Sequence, residues 1–127
     1  MTDKLTIQFD VEIEPERLYY LIVTAIDGEI GYWSCVSETR HFTLFNLDNV
    51  ENFDFTSPEA YFNVHERDDD GEYREYFRLD FDEFKSGLRV MAKKYPRHFA
   101  DFINDNADGI TSDVFIQCCC FGEIVYG

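Results

Sequence analysis

From Val114 to Phe121 the chain reads Val-Phe-Ile-Gln-Cys-Cys-Cys-Phe, and Gln117 is the one polar side chain in that run. At helical spacing this leaves no polar face, and a helix without one belongs at the centre of a core. The chain has 127 residues, the size of one domain, with no room for a second core. Hydrophobic residues make up 45% and aromatics 17%, enough to fill that core and to argue against disorder. A single domain over residues 1–127 is expected.

Two periodicities supply the other elements. Leu5, Ile7, Phe9, Val11 and Ile13 alternate with polar residues, as in a half-buried strand over 4–13. Pro15 then opens a helix with Leu18, Leu21, Ile22, Ala25 and Ile26 at helical spacing, closed by Asp27-Gly28. Residues 31–37 and 40–46 read as two strands, with a short strand at Val50–Phe55. A hairpin pairs 60–67 with 72–79 around Asp68-Asp69-Asp70-Gly71, since Asp-Gly suits a turn that needs positive φ. Asp80 with Glu83 resembles a capping box and opens a helix that buries Phe84, Leu88, Met91 and Tyr95. Pro96 starts another helix, with Phe99, Phe102 and Ile103 inward, and Thr111 or Ser112 caps the last one. The expected fold is α+β, an antiparallel sheet of about five strands packed against three to four helices.

Charge is the unusual quantity. Eleven Lys and Arg against 26 Asp and Glu give a net −15. That balance keeps a protein away from nucleic acid and anionic membranes, so any electrostatic partner is expected to be basic. Residues 1–66 carry 13 acids and three bases (Lys4, Arg17, Arg40), residues 67–97 eight of each, and residues 98–127 five acids and no Lys or Arg. Asp10, Glu12 and Glu14 fall on one face of the first expected strand, about 6.6 Å apart. Glu16, Asp48, Glu51, Asp54 and the Asp68, Asp69, Asp70 turn extend the candidate partner-binding set. Duplex DNA presents a phosphate every ~3.4 Å along each strand. One strand row is too sparse to imitate that, whereas several rows on a sheet approach it.

Catalytic and metal patterns are weak. The Asp68–Gly71 turn and the Asn104–Gly109 stretch resemble calcium loops, but with each Gly at loop position six, Phe77 or Phe115 stands where the bidentate Glu belongs. His41, His65 and His98 lie in different elements, and no Gly-rich phosphate loop, GxSxG or HExxH occurs. The four cysteines form no CxxC pair, and the Cys118–Cys120 triplet lies in the apolar helix, where burial makes thiols inert. Lys85, Arg89 and Lys93 at i, i+4, i+8 read as a solvated face balancing nearby acids. No enzyme, cofactor or metal is expected. No apolar stretch approaches the ~20 residues of a membrane span and no signal peptide opens the chain, so a complete, intracellular, reduced protein is expected.

Three stretches carry a resemblance. Asp27-Gly-Glu-Ile-Gly-Tyr-Trp-Ser34 is similar to the GGIGYW segment of a group of small phage and prophage proteins. The helix around Phe84-Lys85-Ser86-Gly87-Leu88 resembles their FLKGL helix, and Asp113-Val-Phe-Ile-Gln with Phe121-Gly-Glu-Ile-Val-Tyr-Gly127 resembles their common terminus. The resemblance covers about a third of the chain, and no catalytic or binding residue is carried over from it. It implies phage origin and a place in the host cytoplasm. Small acidic phage proteins are disproportionately inhibitors of host nucleic-acid machinery, whose Lys/Arg channels an acidic patch can occupy. The expected function is therefore an anti-CRISPR-like DNA mimic that binds the basic surface of a host nucleic-acid-binding defence complex. Two alternatives stand beside it: a phage housekeeping or assembly protein, homodimeric through its aromatic surface, and a small enzyme working through Cys35 or the histidines.

Overall fold

The segment without a polar face becomes helix α4 (Gly109–Phe121), buried throughout from Val114 to Cys119, in a computed structural model that describes residues 3–37, 56–68 and 70–127. Helices α1 (Pro15–Thr24), α2 (Phe81–Lys94) and α3 (Pro96–Ile103) pack against it. One antiparallel sheet in the order β1-β2-β3 (Ser34–Ser37, Phe62–Arg67, Tyr73–Leu79) closes the remaining side. Phe62, Val64 and Leu79 on its inner face join Phe84, Phe115 and Ile116 in one core cluster. Cys35, Asn63, His65, Tyr76 and Arg78 alternate with them in the register and occupy the other face.

Local chemistry fixes where these elements begin and end. Pro15 and Pro96 each start a helix, a position whose N–H has no intrahelical partner in any case. After α1, the Ile30 N–H reaches Ala25 O at 3.1 Å, a π-type turn that Gly28 permits at φ +145. The Asp80 carboxylate accepts the Glu83 N–H at 3.1 Å and opens α2, as expected. Lys93 and Lys94 lie in its last turn, at the negative end of the helix dipole. The cap of α4 differs from expectation. Asp108 accepts the Thr111 N–H at 2.9 Å and its hydroxyl at 3.2 Å, while Thr111 and Ser112 are buried inside the first turn. A carboxylate both satisfies the N–H and complements the dipole, so it displaces the hydroxyls from that role.

The sheet is smaller than expected, with three strands among the described residues. Residues 3–13 take no regular secondary structure and pair with none of them. Alternation encodes which side chains share a face and cannot supply a partner strand. Residues 31–33 form a turn, so β1 begins only at Ser34. The expected strands at 40–46 and Val50–Phe55 lie outside the described residues. The hairpin forms with slightly shorter strands, and Gly71 takes φ +80 in its turn.

The α2–α4 contact depends on Gly87. A Cβ there would collide with the Cys119 sulfur and stand 3.2 Å from the Cys119 backbone. In an ordinary helix interior Gly→Ala stabilises by about 1 kcal/mol. Here Gly87→Ala is expected to destabilise by about 1–3 kcal/mol, the cost of overpacking. Urea unfolding checks this, with the exposed neighbour Ser86→Ala expected to be neutral or slightly stabilising.

Candidate functional site

The described candidate acids fall into two groups. Asp10, Glu12, Glu14 and Glu16 are exposed along the N-terminal segment and the first turn of α1. The carboxylates of Asp10, Glu12 and Glu14 make no ion pair or hydrogen bond with any described residue, and Glu16 only accepts the Tyr20 hydroxyl at 3.4 Å. Arg17, the base nearest them in the chain, is committed elsewhere. Its guanidinium donates to Phe102 O at 2.6 Å and Ile103 O at 3.1 Å, closing the end of α3. The second group is the hairpin turn. Asp68 accepts the N–H groups of Asp70 (3.0 Å) and Glu72 (2.8 Å), so its carboxylate holds the turn, and Asp70 is exposed.

That turn closes the end of the hairpin away from Leu79. Asp10 instead lines a groove with Phe81 and Lys85 at the start of α2. The described candidate acids therefore stand in two places, because the hairpin carries its turn away from the strand end that leads into α2. Asp48, Glu51, Asp54 and Asp69 lie outside the described residues.

A polar cluster missed in the sequence joins distant segments. Gln117 is fully buried. Its Oε1 accepts the N–H groups of Val125 and Tyr126, both at 2.8 Å. Its Nε2 donates to Tyr126 O at 3.1 Å and to Asp113 Oδ1 at 3.0 Å. Asp113 also accepts Trp33 Nε1–H at 2.9 Å and the Tyr32 hydroxyl at 2.6 Å. The Tyr126 ring stacks on Trp33 with centroids 5.4 Å apart, and its hydroxyl bonds Glu66 on β2. Thus Tyr32 and Trp33, Asp113 and Gln117, and the C-terminal tail meet in one place. The arrangement fixes the tail.

The Cys and His residues are dispersed by comparison. Cys35 stands opposite His65 in the β1–β2 register, but His65 Nε2 bonds the Ser37 hydroxyl at 2.9 Å and its ring packs against Tyr73 and Tyr76. His98 Nδ1 is buried without a hydrogen-bond partner among the described residues, and His41 lies outside them. Burial pushes the Cys118 thiol up to about 11 and those of Cys119 and Cys120 further still. A thiol that keeps its proton is a poor nucleophile.

No family model, curated protein or solved structure matches this chain.

Two outcomes check the role of the cluster. Gln117→Leu leaves three backbone groups of the tail without their partner and is expected to cost about 2–3 kcal/mol in urea unfolding. Tyr32 offers a pH test. Partial burial, then the Asp113 carboxylate that its hydroxyl bonds, raise its phenol from 10.0 to about 12. The native state therefore holds this proton more tightly than the unfolded chain. The contribution is complete below pH 10.0 and is lost as pH rises through about 12. Tyr32→Phe is expected to flatten the fall in stability across that window.

Proposed function

We propose that this protein is a non-enzymatic, phage-encoded inhibitor that binds the basic, nucleic-acid-binding surface of a host defence complex, with CRISPR effectors as the favoured class. The observation that carries this reading is the state of Asp10, Glu12 and Glu14. These carboxylates are exposed on a segment without regular secondary structure and have no ion-pair partner among the described residues. Charges left uncompensated in this way destabilise the compact state, and a basic partner offsets that repulsion.

The two acidic groups change the mechanism from a broad imitation of the duplex to a narrower one. The N-terminal row docks as an extended chain whose carboxylates replace phosphates, and Asp70 in the hairpin turn offers a second, separate contact. Electrostatic attraction speeds the encounter, and salt weakens it. The apolar members of the same segment point to direct packing with the partner. Leu5 and Phe9 are 83% and 81% exposed, more than isolated carboxylates need beside them.

The test is affinity capture from bacterial lysate with stepped salt, repeated with added single-stranded or duplex DNA. A nucleic-acid-binding complex held at low salt, shed at high salt and displaced by DNA is the expected result. The combined substitution of Asp10, Glu12 and Glu14 by Lys is expected to weaken capture at least tenfold, since each reversal replaces attraction by repulsion. Capture of the same complex at equal strength by the reversed variant would remove the segment from the mechanism. Recovery of the protein alone would favour the housekeeping alternative.

A further inference from the structure

Along α2, on the side that faces the N-terminal segment, lies an open cavity of about 690 Å³. That is within the range of ~300–1,000 Å³ usual for small-molecule sites. Val11 and Ile13 of the segment, Leu18 of α1, Phe81 and Leu88 of α2 and Phe99 of α3 give it apolar walls. Two cations, Lys85 and Arg89, stand one helical turn apart in the same lining. Lys85 already pairs with Asp82 at 3.2 Å. Arg89 has no hydrogen bond or ion pair with any described residue, in a chain whose net charge is −15. Among the described residues nothing competes for this guanidinium, which is exposed at the cavity wall and open to an anion.

From this combination we propose that the cavity binds a single anionic amphiphile, a long-chain carboxylate or its equivalent, with the tail among the apolar walls and the head on Arg89. An apolar ligand without charge leaves the guanidinium unused. A cationic one meets it with repulsion. A carboxylate matches the planar fork of Arg in two parallel hydrogen bonds. Asp10 also lines the cavity and sets a limit on the head group, because a dianion there meets its charge. The ligand would also tie the otherwise unpaired segment at Val11 and Ile13 to the helices. The cavity shares Asp10 and the N-terminal segment with the proposed docking to a basic partner, but its anchoring charge, Arg89, is of opposite sign, so Arg89→Glu separates the two.

The experiment is calorimetric titration of the full chain with dodecanoate, below its micellar concentration, and with dodecyltrimethylammonium and acetate. One dodecanoate per chain is expected, with at least tenfold weaker binding of both comparison compounds. Arg89→Glu is expected to reduce dodecanoate affinity at least tenfold, and Val11→Asp to reduce it as well, with circular dichroism unchanged because both positions are exposed. Absence of saturable dodecanoate binding overturns the proposal. So does equal binding of the cationic surfactant, or an Arg89→Glu variant that keeps full affinity.

Discussion

The structure depends on the amide of one buried glutamine. A Gln side chain offers two donor hydrogens and two acceptor lone pairs, and Gln117 spends all four: two on tail N–H groups, one on the Tyr126 carbonyl and one on Asp113. A polar group at the centre of an apolar helix costs several kcal/mol if left unmet and specifies its surroundings if fully met. Here it specifies that the chain beyond Gly122, where φ is +72, turns back along α4. Lys94 at the end of α2 and Tyr95 just beyond it hold the same turn through Gly122 O at 2.8 Å and the Ile124 N–H at 2.7 Å. Trp33 is then clamped between the tail and α4, with its ring on Tyr126 and its N–H on Asp113. Because Trp33 immediately precedes β1, the clamp sets where the sheet begins.

Residues from three separate stretches of the sequence therefore meet in the clamp and in the α2–α4 crossing. Tyr32, Trp33, Asp113, Gln117 and Tyr126 bond or stack on one another, and Gly87 makes the crossing possible. All of this is scaffold. The exposed acids of the N-terminal segment lie outside it. A fold held by internal hydrogen bonds can carry such charge at its margin without losing its shape.

The legible parts of the sequence were those written in periodicity and short-range chemistry. The apolar run announced a central helix, Asp80 and Glu83 announced the start of α2, and Asp70-Gly71 announced the hairpin turn. Gln117 was visible as the lone polar residue of its run, a sign of a buried partner, but the partner lies beyond the helix end in a tail with no pattern of its own. Asp108 stands three residues before Thr111 as a capping residue should, yet two hydroxyls closer to the apolar run drew the assignment. The N-terminal alternation suggested a strand that does not form among the described residues, because pairing is a property of what lies beside a segment. The charge of the acids was plain from composition. Whether they converge depended on which end of the hairpin they occupy, a tertiary fact, and the described ones do not.

The central claim is that a buried polar clamp orders the C-terminal tail while the acidic N-terminal segment stays unpaired. Amide hydrogen exchange read residue by residue tests both halves at once. The account predicts that the Val125 and Tyr126 amides exchange nearly as slowly as those of α4, since opening them requires breaking the Gln117 cluster. It predicts that amides from Thr6 to Glu12 exchange at rates close to those of an unstructured chain. Fast exchange at Val125 and Tyr126, or strand-like protection across residues 6–12, would contradict it.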